Sequence, residues 1–130
     1  MRTPAVLTAT LAAALLGACS SMYADKAAAP ARASDGVLTG PNGMTLYVFD
    51  KDAAGSGKST CNGPCATNWP PLMAAADAKA SGDWTIVTRD DGSKMWALKG
   101  KPLYTFAKDT KPGDTTGDGF LNGAWHIAKP

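Results

Sequence analysis

Apolar and polar residues alternate along this chain in short runs, and nearly every run ends at glycine, proline or an Asn-Gly or Asp-Gly pair. A period of two over a few residues is the signature of half-buried strands. Val37-Leu38-Thr39 reads as a strand, Gly40 to Gly43 as a turn and Met44 to Phe49 as the returning strand. Asn42-Gly43 between apolar flanks is a strong hairpin signal, because both residues accept the positive φ that a tight turn needs. Trp84 to Arg89 and Lys94 to Leu98 flank Asp91-Gly92 as a second hairpin, and Lys99-Gly100 turns the chain into a strand from Leu103 to Phe106. Ala124 to Ala128 forms the last strand. Leu72 to Ala80, stopped by Gly82, is the one stretch expected to be helical. The pattern predicts an all-β fold with at most one short helix, a small antiparallel sandwich or barrel-like domain.

Two of these strands carry the same ten-residue pattern. Gly43 to Asp52 and Gly100 to Asp109 both read Gly-x-x-Leu-Tyr-x-Phe-x-x-Asp, at a constant offset of 57 (100 − 43). Trp69 follows the first and Trp125 the second at nearly equal distances. Internal repetition of this kind predicts two related halves, about 36–72 and 93–130, joined by a pseudo-twofold. On a strand, Tyr47 and Phe49 share one face and Leu46 and Val48 the other; Tyr104 and Phe106 repeat this opposite Leu103 and Thr105. The expectation is architectural: aromatic residues plug a core, while Asp52 and Asp109 accept backbone N–H bonds and hold the loop after each strand. The competing expectation is a Tyr/Asp pair that binds or processes a ligand.

Upstream, Arg2 and the apolar run Ala5 to Leu16 make residues 1–18 an export signal, too short for a permanent span. It ends in Leu16-Gly17-Ala18-Cys19, the lipobox pattern, which marks Cys19 as the lipid attachment site. Ser20 follows where an inner-membrane retention signal would place Asp, which resembles sorting to the outer membrane. The Ala-rich stretch 19–35 is expected to be a flexible tether, since it offers little surface to bury. Residues 36–130 then form a single β-rich domain.

Composition supports the β reading: the chain has 14 Gly and 9 Pro, and neither Glu nor Gln. Its 13 basic and 11 acidic residues leave a net charge of +2, with the cations scattered, so no nucleic-acid partner is indicated. In an exported chain Cys61 and Cys65 are expected to pair across the Gly63-Pro64 turn. Haem attachment needs a His where Ala66 stands, and a zinc site needs more ligands than two thiols and one imidazole. A copper site from Cys61, Cys65, His126 and a Met stays open as an alternative. His126, the one histidine, reads as a hydrogen-bonded strand residue, and the pairs Asp50/Asp52 and Asp90/Asp91 read as turn residues. From Asp114 the twelfth position is Trp125, which rules out an EF-hand, and no nucleophile elbow or phosphate loop is present. No cofactor and no catalytic residue are expected.

Taken together, Tyr47/Phe49/Asp52, Tyr104/Phe106/Asp109, the Cys61/Cys65 pair, Trp69-Pro70-Pro71 and Trp125-His126 resemble the predicted bacterial lipoproteins known as the secreted repeat of unknown function. The resemblance runs from Val37 to Lys129. It implies an envelope lipoprotein without an established activity, and it is loosely linked with hydrocarbon-use settings. The expected partners are the membrane, through the lipid, and an envelope protein, a glycan or an apolar small molecule. The alternative is a periplasmic redox or copper-handling protein using Cys61 and Cys65.

Overall fold

The computed structural model describes residues 29–130. The export signal, Cys19 and most of the expected tether lie outside the described residues. In chain order the elements are β1 (Arg32–Ser34), β2 (Val37–Thr39), β3 (Tyr47–Phe49), α1 (Pro64–Asn68), β4 (Trp84–Thr88), β5 (Lys94–Leu98), β6 (Lys101–Pro102), α2 (Phe120–Gly123) and β7 (Trp125–Ile127). All pairings are antiparallel: β1 with β2, β3 with β7, and β4-β5-β6 as a three-stranded sheet. The result is mostly β, and these small sheets do not close into a barrel.

The two motif strands meet at one residue pair. Tyr47 and Tyr104 bridge antiparallel, each N–H donating to the other's carbonyl at 2.7 and 2.9 Å. Two motif residues facing each other this way place a pseudo-twofold between them. The relation extends outward through two closed rings of backbone hydrogen bonds. In the first, Leu46 N–H donates to Leu38 O, Leu38 to Ala128 O and Ala128 to Leu46 O, at 2.8–3.0 Å. In the second, Leu103 donates to Trp96 O, Trp96 to Leu72 O and Leu72 to Leu103 O, at 2.9–3.1 Å. Each ring takes its third member from the other half's sequence: Ala128 completes the first and Leu72 the second. The strands are short because they meet three at a time around such a ring and then diverge.

Strand alternation sorts the core into two clusters. Tyr47, Phe49, Trp69, Tyr104, Phe106 and Trp125 belong to one, with Cys61, Val87, Met95 and Ala97. Leu38, Leu46, Leu103 and Ala128 form the other, with Val48, Leu72 and Leu98 packed against it.

Both predicted hairpins form. Trp84–Thr88 pairs with Lys94–Leu98 over its full length, and Leu46 N–H reaches Leu38 O across the Asn42-Gly43 turn. The predicted strands Met44–Phe49 and Leu103–Phe106 are shorter than expected, because each pairs in turn with three different partners. The helix expected over Leu72–Ala80 is absent. Leu72 is spent on its ring, Ala74 N–H donates to Lys94 O, and Met73 bridges Met95. Sheet pairing there outweighs the helix preference of alanine. The two helical turns lie elsewhere. Proline at its start sets α1, whereas α2 is distorted by Leu121 and Asn122 at φ 54 and 57. Within the stretch expected to be tether, Arg32–Ser34 forms β1 and Ala31 is buried.

Candidate functional site

The repeated motif is clasped crosswise. Tyr47 Oη donates to Asp109 Oδ2 at 2.6 Å, and Tyr104 Oη donates to Asp52 Oδ2, so each tyrosine is bound by the other repeat's aspartate. The second oxygen of each carboxylate holds its own loop. Asp52 Oδ1 accepts the N–H and hydroxyl of Thr60, both at 2.7 Å, and Asp109 Oδ1 accepts the N–H of Thr116 at 3.0 Å as well as its hydroxyl. Both tyrosines and both aspartates are buried. Burial pushes each phenol well above its ordinary pKa, and the hydrogen bond to the facing carboxylate pushes it further. The loop-holding role of the aspartates is the one expected from the sequence; the crosswise partner is new. The recurrence of threonine after each motif, Thr60 and Thr116, is the signal that could have revealed the full clasp.

Beside the clasp, Phe49, Trp125, Trp69 and Phe106 form a continuous stack. Phe49 and Trp125 lie 4.2 Å apart, Trp125 and Trp69 3.7 Å at 2°, and Trp69 and Phe106 4.1 Å. Tyr47 meets Trp69 edge-on at 5.4 Å and Tyr104 meets Trp125 at 5.1 Å. Edge-to-face and offset contacts of this kind add about 0.5–1.5 kcal/mol per pair beyond burial.

Cys61 and Cys65 are joined as a disulfide, with Cα atoms 5.1 Å apart. A five-residue ring contributes roughly 2 kcal/mol in the chain-entropy picture. Its neighbour is a polar network that sequence reading missed. Buried Arg89 donates from Nη1 to Ser59 Oγ at 2.8 Å and from Nη2 to Cys61 O at 2.7 Å, and Ser59 Oγ lies 2.6 Å from Tyr104 Oη. Nothing local in the sequence marks Arg89 or Ser59, since their meeting depends on β4 crossing the loop before α1. With the two sulfurs bonded to each other, the thiolates of the copper alternative are committed elsewhere. Among the described residues no three His, Cys, Asp or Glu side chains gather as a metal-ligand group. Asp114 instead accepts from Thr110 N–H, and this bond, helped by Lys111, lowers its pKa to about 2. Asp118 accepts Ile127 N–H.

Solvent-facing chemistry collects on the outer side of β3 and β7. His126 Nε2 lies 2.8 Å from Asp50 Oδ2, and both side chains are about half exposed. The pair sits in a surface cleft of about 350 Å³ whose walls include Val48, Leu103 and Ile127 and whose lining also includes Lys99, Lys101 and Lys129. A second cleft, about 390 Å³, lies between β1–β2 and Pro112–Gly113. Asp50 reads from sequence as a turn residue and His126 as a hydrogen-bonded strand residue; the structure brings the two together across the β3–β7 pair. The repeated aromatics are internal, so they offer no surface to an apolar ligand.

Among the described residues, no helix is long and apolar enough to cross a membrane. No curated protein matches the chain, and no solved structure matches it. A family model described as a secreted repeat of unknown function matches twice, over residues 30–73 and 85–129. Each match includes both a half's own motif and the residue it lends to the opposite ring, Leu72 in the first and Ala128 in the second. Two copies covering well over half the sequence, folded against each other across Tyr47 and Tyr104, leave one conclusion: the chain belongs to the family of the secreted repeat of unknown function.

Proposed function

We propose that the chain is a lipid-anchored, non-enzymatic module of the bacterial envelope, in which the duplicated motif builds the scaffold and the outer face binds a ligand. The observation that carries this reading is the fate of the motif's polar groups. Tyr47, Tyr104, Asp52 and Asp109 bond to one another in the core, so the groups a hydrolase would need are shielded from substrate. Their chemistry stabilises a fold. Anchoring is supported by Leu16-Gly17-Ala18-Cys19, where a cysteine carrying several acyl chains would hold the module at the membrane, and Ser20 favours the outer membrane. The described domain begins near Ala31, twelve positions after Cys19. Metabolic labelling with a fatty acid, followed by membrane fractionation, tests the anchor. Cys19→Ser is expected to lose the label and leave the membrane fraction; a variant that stays labelled and membrane-bound overturns the reading.

A further inference from the structure

The two halves serve as controls for each other. Equivalent backbone bonds align them: Asp50 N–H donates to Ala124 O as Ala107 N–H donates to Asn68 O. Val48 pairs with His126 in one half, and Thr105 N–H bonds Pro70 O in the other. Inward positions agree in both halves, Leu46 with Leu103, Tyr47 with Tyr104, Phe49 with Phe106, Asp52 with Asp109 and Trp69 with Trp125. Three outward positions of the same strand pair do not. Where one half has Val48, Asp50 and His126, the other has Thr105, Ala107 and Pro70. The same strand pair therefore folds without an imidazole, a carboxylate or an aliphatic wall. Asp50 and His126, both about half exposed, answer to something other than the fold.

We propose that the Asp50–His126 cleft binds a small amphipathic anion, a molecule with an aliphatic body and a compact carboxylate or phosphate head. The inference rests on the reading of the chain as a binding module and names its ligand. The volume of about 350 Å³ is that of a small-molecule site. Val48, Leu98, Leu103 and Ile127 supply apolar contact for a hydrocarbon body. Lys99, Lys101 and Lys129 surround it with positive charge, which attracts an anion and raises its local concentration. Asp50, the one side-chain carboxylate in the lining, is engaged by His126, and the three lysines outnumber it. Lys99, at φ 53 in the β5–β6 turn, lines the cleft.

The test uses the Cys19→Ser chain exported to the periplasm, with the disulfide formed, observed by NMR during titration. The probes are octanoate, octyl phosphate, octanol and acetate, each below its micelle concentration. Saturable shifts of the Val48, Leu103 and Ile127 methyls and the His126 ring with octanoate or octyl phosphate are expected. Which of the two binds tighter identifies the head group. Octanol, which lacks the charge, and acetate, which lacks the body, should each bind about tenfold more weakly or worse. The double variant Lys101→Glu/Lys129→Glu, altered only at exposed positions, should fold with an unchanged melting temperature and lose about tenfold in affinity. Octanol binding as tightly as octanoate overturns the proposal, as does unchanged affinity in the double variant. Saturable shifts confined to another surface overturn this cleft while leaving a binding module in place. The absence of saturable binding by every probe overturns the ligand class. Neither result bears on the anchor, which the acyl-labelling experiment decides separately.

Discussion

Tyr47 and Tyr104 are equivalent in sequence but unequal in surroundings. Besides its aspartate, Tyr104 meets Ser59, which Arg89 in turn holds; Tyr47 accepts a single N–H from Gly117 at 3.3 Å. Replacing either phenol with Phe keeps the ring and takes the tyrosine donor from one oxygen of a buried carboxylate, at a cost of roughly 1–3 kcal/mol. Tyr104→Phe should cost more, because it also removes one of the two partners of Ser59. The crosswise clasp makes a sharper forecast. In double-mutant cycles by urea denaturation, Tyr47→Phe should couple to Asp109→Ala by roughly 0.5–3 kcal/mol and be nearly additive with Asp52→Ala. Coupling within one repeat and not between the two would contradict the geometry. The four motif residues were recognisable from their spacing. Their partners were not, because nothing in one copy says that its hydrogen bond is made by the other.

At the scale of elements, the two halves solve one packing problem differently. Cys61 and Cys65 close the loop before α1 with a disulfide. The matching segment before α2 has Gly117, where a Cβ would come within 2.6 Å of the Trp69 ring. The backbone of Gly117 thus lies directly against the aromatic stack. Because its φ is not positive, a substitution there tests steric fit alone. Gly117→Ala should destabilise by about 1–3 kcal/mol through overpacking. At about 4–8 °C per kcal/mol for a domain of this size, calorimetry should show a clear drop in melting temperature. An unchanged melt would mean that Trp69 can yield at no cost. Hairpins were legible because Asn42-Gly43 and Asp91-Gly92 act locally. The stretch Leu72–Ala80 was misread because its alanines speak for a helix, while its hydrogen-bond partners, Trp96, Leu103 and Lys94, lie far along the chain.

For the whole molecule, the lent residues decide how it can fold. Leu72 closes the ring of the second half and Ala128 that of the first, while Trp69 and Trp125 stack on each other across the pseudo-twofold. Alone, either half loses the β3–β7 pair, the third strand of its ring and its aromatic partner, and about fifty residues bury too little surface to compensate. Fragments 29–81 and 82–130 should each be unfolded by circular dichroism and by the spread of amide resonances. Mixed in equal amounts, they should regain the β spectrum. A fragment that folds cooperatively by itself would show the halves to be independent domains.

By itself the sequence determined the duplication, the all-β character, the turns, the pairing of the two cysteines and which face of each motif strand is buried. Each of these follows from neighbours within a few residues or from spacing alone: period-two alternation, glycine at a positive φ, two thiols four positions apart. Only the tertiary structure decided that Tyr47 belongs to Asp109, that Arg89 reaches Ser59 and Cys61, and that His126 meets Asp50 across paired strands. Such contacts join residues tens of positions apart, and many alternatives share the same local preferences. What selects among them is the simultaneous packing of one aromatic stack and the satisfaction of every buried carboxylate within it, which belong to the assembled pair of repeats and to neither copy alone.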